Sequence, residues 1–573
     1  MSPDGLQQTR PAVRGDHYAI STGHPLATAA GQRIFQQDGN ATDAGVAAGL
    51  ALNVTLPDRT GIGGVAPILV LDGASGKVRS IRGLGRWPRA TDVEALRTGW
   101  GGRIPPGVLR CVTPAAMGAW LTALARFGRL RLEQVLAPAI ALAERGMPVW
   151  HGLHRALSES RALYETWPGT RAIFYPDGDV PVLHARLRQP ELAQTLRRLA
   201  AAASRHDNRE RGIWAAYDLF YRGEIAHEIA AFFQKERGWL NGEDLAGFEA
   251  SLEEPCHSTY QGLDLLSGGP WCQGPVTLQI LNLLETEPLA GLEHNSAAYI
   301  HFCTEAFKLV FADRGAFYGD PDWVRVPLQG LLSKPYAAGR ALLIDRARAQ
   351  TGTPAPGDPW AFGPDERPGE PGAAGGPLET GTSCVCAADD QGNAFSATPS
   401  DGISSAPVIP GLGFAVSSRG VQSWLAAGHP SVVRAGKLPF LTPTPGIALK
   451  DGRFFIAYGT PGTDTQPQAM AQLLVNVLEF RMDLQQAIDA PRFATYSFPR
   501  ANDPHRADLG SLYLESRIAA ATAGQLAAMG HDIRRWSAYE ADAGALCAVM
   551  ADNVNGGFVA GADPRRLSYA IAW

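Results

Sequence analysis

The chain's most constraining feature is an abrupt change of composition just before its last third. From Thr351 to Pro377 it is dense in proline and glycine (Gly352-Thr353-Pro354-Ala355-Pro356-Gly357-Asp358-Pro359, then Pro371-Gly372-Ala373-Ala374-Gly375-Gly376-Pro377). Such a segment cannot bury enough apolar surface to offset its ordering entropy. In a globular chain, a loop of that length is a linker or a functional segment. It leads directly into Leu378-Glu379-Thr380-Gly381-Thr382-Ser383-Cys384-Val385-Cys386-Ala387-Ala388, a turn at Asp389-Asp390-Gln391-Gly392, and Asn393-Ala394-Phe395-Ser396-Ala397-Thr398. Strand-forming residues on both sides of an Asp/Gly turn predict a β-hairpin. The expectation is a flexible end at about residues 351–381, cut before Thr382 to expose that residue as a new N-terminus.

With 573 residues, 45% of them hydrophobic and 19% charged, the chain can bury a large core. Its 51 basic and 56 acidic residues give a net charge of -5, and neither sign forms a long run. That excludes an obvious nucleic-acid or membrane-surface footprint and leaves a small-molecule substrate. Met1 to Tyr18 is polar, without the apolar segment that export requires, and no run approaches the roughly 18 apolar residues of a membrane span. Seven scattered cysteines, an odd number, point to a reduced, cytoplasmic protein and not to a disulfide framework. Cys384 and Cys386 alternate on a strand without a second Cys/His pair nearby, which predicts core packing in place of a metal site.

Short strands are predicted at His17–Thr22 and Leu26–Ala30, then a helix capped at Thr42 or Asp43 that carries Val46, Leu50 and Val54. Gly61-Ile62-Gly63-Gly64 leads into a strand, Val65–Asp72, and lacks a lysine, so it does not read as a phosphate loop. A returning strand follows at Lys77–Ile81. Pro114–Val149 is helical in pattern, Gly242–Leu245 opens a short helix, and Asn295 or Ser296 caps a helix through Val310. On that helix His301 and Glu305 stand four apart; an ion-paired helix face is the expected reading, with metal binding the other. Further strands are predicted at Gly413–Ser418, Gly446–Leu449 and Arg453–Tyr458. The last runs through Gly459-Thr460-Pro461-Gly462-Thr463-Asp464-Thr465 into an amphipathic helix with Met470, Leu473, Leu474, Val477 and Leu478. A strand, a glycine turn and a helix N-terminus gather backbone N–H groups into a cradle for an oxyanion or a carboxylate.

Taken in order, several segments resemble the γ-glutamyltransferase (γ-glutamyltranspeptidase) family of N-terminal-nucleophile hydrolases, from about His17 to about Phe498. They are Gly39-Asn40-Ala41-Thr42-Asp43-Ala44, Gly61-Ile62-Gly63-Gly64, Leu136-Ala137-Pro138-Ala139-Ile140, Phe311-Ala312-Asp313-Arg314, Gly381-Thr382 with Gly392-Asn393-Ala394, Gly459-Thr460-Pro461-Gly462, and Asp489-Ala490-Pro491-Arg492-Phe493. The resemblance implies an α+β fold, a four-layer αββα sandwich built from both products of a self-cleaved precursor. Residues 1–381 would form the large subunit and 382–573 the small one, together a single composite domain. It implies Thr382 as nucleophile, Ser400 as the hydroxyl that hydrogen-bonds it, and the backbone N–H groups of Gly462 and Thr463 as oxyanion hole. A threonine hydroxyl needs a nearby base, and a free α-amino group, with a pKa of roughly 7.7–8.0, supplies one. Cutting between Gly381 and Thr382 would therefore create nucleophile and base in one residue.

Several positions depart from the family pattern. The arginine that clamps the glutamyl carboxylate is displaced by about two residues, to Arg86 in Arg82-Gly83-Leu84-Gly85-Arg86-Trp87-Pro88. The paired serines become Leu441 and Thr442, and the Asn-Asn…Asp segment becomes Ser417-Ser418-Arg419-Gly420. The histidine two residues after the nucleophile becomes Cys384. Asp464-Thr465-Gln466 resembles a bacterial side branch that includes amidohydrolases. The resemblance implies a glutathione-type γ-glutamyltransferase or hydrolase working through an acyl-Thr382 ester passed to water or an amine. The alternatives are an amidohydrolase or acylase for another small amide (oxamate-like, or a β-lactam side chain) and, last, a silent binding relative. Arg86, Arg419, Thr442 and Asp464 are the candidate substrate-binding residues. No metal or cofactor is implied, and no nucleic-acid or membrane partner.

Overall fold

The computed structural model describes residues 8–364 and 381–573. The rest of the predicted flexible end, residues 365–380, lies outside the described residues. Two seven-stranded antiparallel sheets dominate. One runs, in spatial order, Tyr569–Ala572, Tyr18–Thr22, Val385–Asp389, Ala394–Ala397, Ile68–Asp72, Lys77–Ile81 and Leu252–Glu253. The other runs Val13–Gly15, Phe558–Ala562, Cys547–Ala551, Arg453–Gly459, Gly446–Lys450, Leu263–Ser267 and Cys256–Tyr260. The predicted hairpin is present, with Val385 opposite Ala397 and Ala388 opposite Ala394.

The layering follows from the alternation of side chains along these strands. Cys384, Cys386 and Ala388 join Ala394, Ala457, Cys547 and Ala562 in a core between the sheets. Val385 and Ala387 belong to the core on the outer side of the first sheet. Helices Ala41–Thr55 and Ala116–Phe127 cover that side, while Gly274–Leu284, Ala297–Phe317 and Gln466–Leu478 cover the second sheet. The result is the αββα sandwich. All seven cysteines are unpaired and buried, as core packing requires of small apolar thiols. Each sheet combines strands from before and after Thr382: Tyr18–Thr22, for example, pairs with Val385–Asp389 on one side and Tyr569–Ala572 on the other.

Some predicted elements differ. Leu26–Ala30 is not a strand but part of the helix Pro25–Phe35, whose N-terminus is capped by the His24 side chain on the Leu26 N–H at 3.2 Å. Its run of Ala, Thr and Gly has weak preference either way, and the cap with Pro25 in the first turn decides it. The next helix is capped by Asn40, not by Thr42 or Asp43; Asp43 completes a reciprocal capping box. Gly413–Ser418 joins no sheet, its backbone being spent on other loops: Ser417 N–H donates to Gly63 O at 2.9 Å and Ser417 O accepts from Val112 N–H at 2.9 Å. The first half of the Pro/Gly segment is pinned. Gly357 N–H donates to Asp313 at 2.8 Å, Arg340 donates to Ala355 O at 3.0 Å, and Pro359–Phe362 form a 3-10 turn. The segment is short of apolar surface, but buried charged groups satisfy its backbone instead. Among the described residues, no helix is long and apolar enough to cross a membrane.

Candidate active site

Thr382 precedes the hairpin's first strand and is 2% exposed. It bridges to Ser400 across the chain's return, and the two hydroxyl oxygens lie 2.7 Å apart. Ser400 is fixed from the other side by Val65: its N–H donates to Val65 O at 2.9 Å and its carbonyl accepts from Val65 N–H at 3.2 Å. The Gly61–Gly64 motif makes that approach possible. A Cβ on Gly64 would stand 2.2 Å from Ser400 O and 2.6 Å from Asp401 O, so only glycine fits. Gly381 is constrained in the same way, since a Cβ there would meet Arg59 Cα at 2.5 Å.

The Gly381 carbonyl oxygen accepts hydrogen bonds from the Asp401 N–H at 3.2 Å, from Arg419 Nη2 at 3.0 Å and from the Ser400 hydroxyl. Arg419 also donates to Ser400 Oγ, and its Nε lies 3.8 Å from the Asp401 carboxylate. Both carboxylate oxygens of Asp401 accept serine hydroxyls at 2.6 Å, one from Ser417 and one from Ser418. Arg419 is fully buried; desolvation pushes its guanidinium below the ordinary value, and the Asp401 charge pulls it back up. The segment that departs from the family pattern is thus a coherent unit: two serines hold the acid and the acid faces the arginine.

Gly462 and Thr463, with φ of +129° and +49°, share a small cavity of about 70 Å³ with Thr382. Thr463 is strained, because a β-branched residue in the left-handed region is an outlier. Behind the turn stands a buried network. Arg314 pairs with Asp464 and donates to Gln273 Oε1 at 2.8 Å, and Gln273 donates to Thr463 O at 2.9 Å and Thr442 O at 3.3 Å. The Ala501 N–H donates to the other Asp464 oxygen at 3.1 Å, and Gln422 holds Thr442 through both its amide atoms at 3.0 and 2.9 Å. Asp464 and Thr442 therefore stand behind the Gly462–Thr463 turn and are not among the residues lining the Thr382 cavity. Arg86 is placed elsewhere. It lines a separate cavity and is held by Asp322, by Asp320 at 2.9 Å and by Gly436 O at 3.1 Å.

The walls around Thr382 come from residues that the sequence did not single out. Arg59, Arg155, Arg500 and Arg566 line the cavity with Tyr496, Ala541 and Asp542, four guanidinium groups against one carboxylate. Arg500 stacks on Tyr496 with its guanidinium carbon 4.0 Å from the ring centre. Arg59, two residues before Gly61, lay close enough to a recognised motif to be found; the other three sit in unrelated segments. His301, Glu305 and His531 gather at one point inside the protein, where metal-type donors meet. The expected ion-paired face is buried, not exposed: Lys308 Nζ lies 2.7 Å from Glu305, and His301 Nδ1 lies 2.8 Å from His531 Nε2.

A sequence model of the family described as Gamma-glutamyltranspeptidase matches residues 27–573. The chain belongs to the gamma-glutamyltranspeptidase family. It is 32% identical to an acylase ACY 1 proenzyme from Pseudomonas sp. (strain SE83) over 91% of this chain and 88% of that one. It is 30% identical to a glutathione hydrolase-like YwrD proenzyme from Bacillus subtilis (strain 168) over 98% and 99%. Among solved structures, the cephalosporin acylase from Bacillus halodurans is 29% identical with a TM-score of 0.85, covering 100% of this chain and 99% of that one. In this gamma-glutamyltranspeptidase family enzyme, Thr382 and the Gly462–Thr463 turn line one small cavity, and the Thr382 hydroxyl is hydrogen-bonded to Ser400 beside it.

Proposed function

We propose that this enzyme cuts its own chain before Thr382 and then breaks small amides, γ-glutamyl amides first, through an acyl-Thr382 ester. The observation that carries this reading is the shared cavity, in which Thr382, hydrogen-bonded to Ser400, faces the Gly462–Thr463 turn within walls of four arginines. In the cut enzyme the Thr382 α-amine takes the hydroxyl proton as Oγ1 attacks the substrate carbonyl. The turn's N–H groups hold the developing oxyanion, and the amine departs with the proton. Water or a second amine then takes the acyl group. Arginine walls suit an acyl group that ends in a carboxylate, and Arg59, Arg155, Arg500 and Arg566 are placed to bind it where Arg86 is not. The two products, 1–381 and 382–573, would stay together as a heterodimer, since each sheet needs strands from both. The unpaired cysteines support a reduced, cytoplasmic setting, checked by cell fractionation.

A second reading is favoured by one observation. A γ-glutamyl group carries an ammonium beside its carboxylate, yet Asp542 is the single acid among the cavity's lining residues, and the oxygens of Asp401 are taken by Ser417 and Ser418. An acylase for acids without that ammonium fits the same walls. Comparing γ-glutamyl-p-nitroanilide with glutaryl-p-nitroanilide, which differ by the ammonium alone, separates the two. Faster γ-glutamyl turnover supports the first reading, faster glutaryl turnover the second, and turnover of neither sinks both. Added glycylglycine tests transfer against hydrolysis.

A further inference from the structure

We infer that Arg419 is a catalytic residue of the self-cleavage, acting with Ser400 and the Asp401 N–H as a second oxyanion site distinct from the Gly462–Thr463 turn. The inference rests on the reading that the chain cuts itself before Thr382. In the uncut chain the Gly381 carbonyl is the group under attack, and the Asp401 N–H, Arg419 Nη2 and the Ser400 hydroxyl converge on its oxygen. An ordinary buried carbonyl needs one donor; this one has three, and one carries a full positive charge, the arrangement that stabilises charge building on an oxygen. Arg419 is held for the task by Asp401, which Ser417 and Ser418 fix in turn.

The hydrogen bonds also supply a route for the proton. With the Ser400 proton on Gly381 O, the Thr382 hydroxyl donates to Ser400 Oγ. As Thr382 Oγ1 bonds to the Gly381 carbonyl carbon, its proton passes to Ser400. Ser400 passes its own proton to the Gly381 oxygen, which receives the π pair while Arg419 holds it. On collapse the C=O bond re-forms, the C–N bond breaks, and the oxygen's proton goes to the Thr382 nitrogen, now a neutral amine. Water then hydrolyses the Gly381–Thr382 ester, its hydroxyl going to the Gly381 carbon and its hydrogen to Thr382 Oγ1. This returns the nucleophile with its base beside it.

The test measures self-cleavage of the full chain on a denaturing gel, with intact mass to confirm fragments 1–381 and 382–573. R419M is expected to slow cleavage by about 10²–10³-fold, the loss typical of an oxyanion donor, and guanidinium added to R419A is expected to restore part of the rate. Folding is checked on chains that cannot cut: T382A and T382A/R419M should both be folded at the assay temperature, the second melting lower because Asp401 loses its buried partner. If the second is not folded, R419K decides, since it keeps the charge and most of the stem; slowing of about tenfold or more supports the assignment. A folded R419M, or R419K, that cuts at the wild-type rate overturns it. A wild-type chain that stays whole in an active preparation overturns the underlying reading of self-cleavage instead.

Discussion

On the proposed reading, the two oxyanion cradles around Thr382 are built differently, and the difference follows from what each would have to catch. The cradle at Gly381 would receive a carbonyl that the chain itself delivers, so it can be closed and charged, with a fully buried arginine on the oxygen. The cradle at Gly462 and Thr463 must receive a carbonyl from outside. It is a backbone turn on a cavity with cationic walls, and its own charges, Arg314 and Asp464, are kept behind it. A group that is always present can be met by a fixed side chain, whereas a group that comes and goes is met by backbone donors held from behind.

The strongest way to break the comparison is at Gly381. Gly381→Ala places a methyl 2.5 Å from Arg59 Cα, moving the carbonyl off its donors. Cleavage on a gel should slow at least tenfold, whereas the same change would matter little if the carbonyl were held loosely. Asp464→Ala strikes the other cradle. Loss of a buried partner leaves Arg314 uncompensated at a cost of about 3–5 kcal/mol, so the chain should still cut, melt lower, and turn over substrate more slowly by at least tenfold. Thr463→Gly sharpens the contrast with a smaller effect. It removes a left-handed penalty of roughly 1–2 kcal/mol and adds glycine's entropic cost of roughly 0.5–1 kcal/mol, so a melting curve should show a net gain of no more than about 1.5 kcal/mol with turnover retained. The smallest effect is expected at the sheet interface. Burial pushes the thiols of Cys384 and Cys386 well above their ordinary range, so iodoacetamide should leave the native enzyme's activity unchanged.

How legible each part was depends on whether its information is local. Thr382 and the glycine turn belong to contiguous motifs, and the strands around them alternate or run between turn residues, so they could be singled out in place; Ser400 came from the family resemblance, and the structure puts its hydroxyl beside that of Thr382. Asn40 caps its helix through a box that closes within three residues, yet Thr42 and Asp43 carry the same chemistry nearby and drew the prediction. Leu26–Ala30 gives no clear period, and its helix is decided by His24 and Pro25 upstream. Arg155, Arg500 and Arg566 reach the cavity from three separate segments distant in sequence; only the closed sandwich makes them neighbours. Arg419 was legible as a departure from the family pattern, but its position on the Gly381 oxygen was not, because the acid that orients it is 18 residues upstream and the loop between joins no sheet.

The interleaved sheets have one more consequence. The donors on Gly381 come together only when Val65 has locked Ser400 in place, when Gly63 has received Ser417, and when Tyr18–Thr22 lies beside Val385–Asp389. A nascent or misassembled chain has the threonine but not the surroundings that let it react. On the proposed self-cleavage, cutting would be a proofreading step that the molecule performs on itself: chains that fail to assemble would stay whole, with the amine that would activate them still locked in a peptide bond.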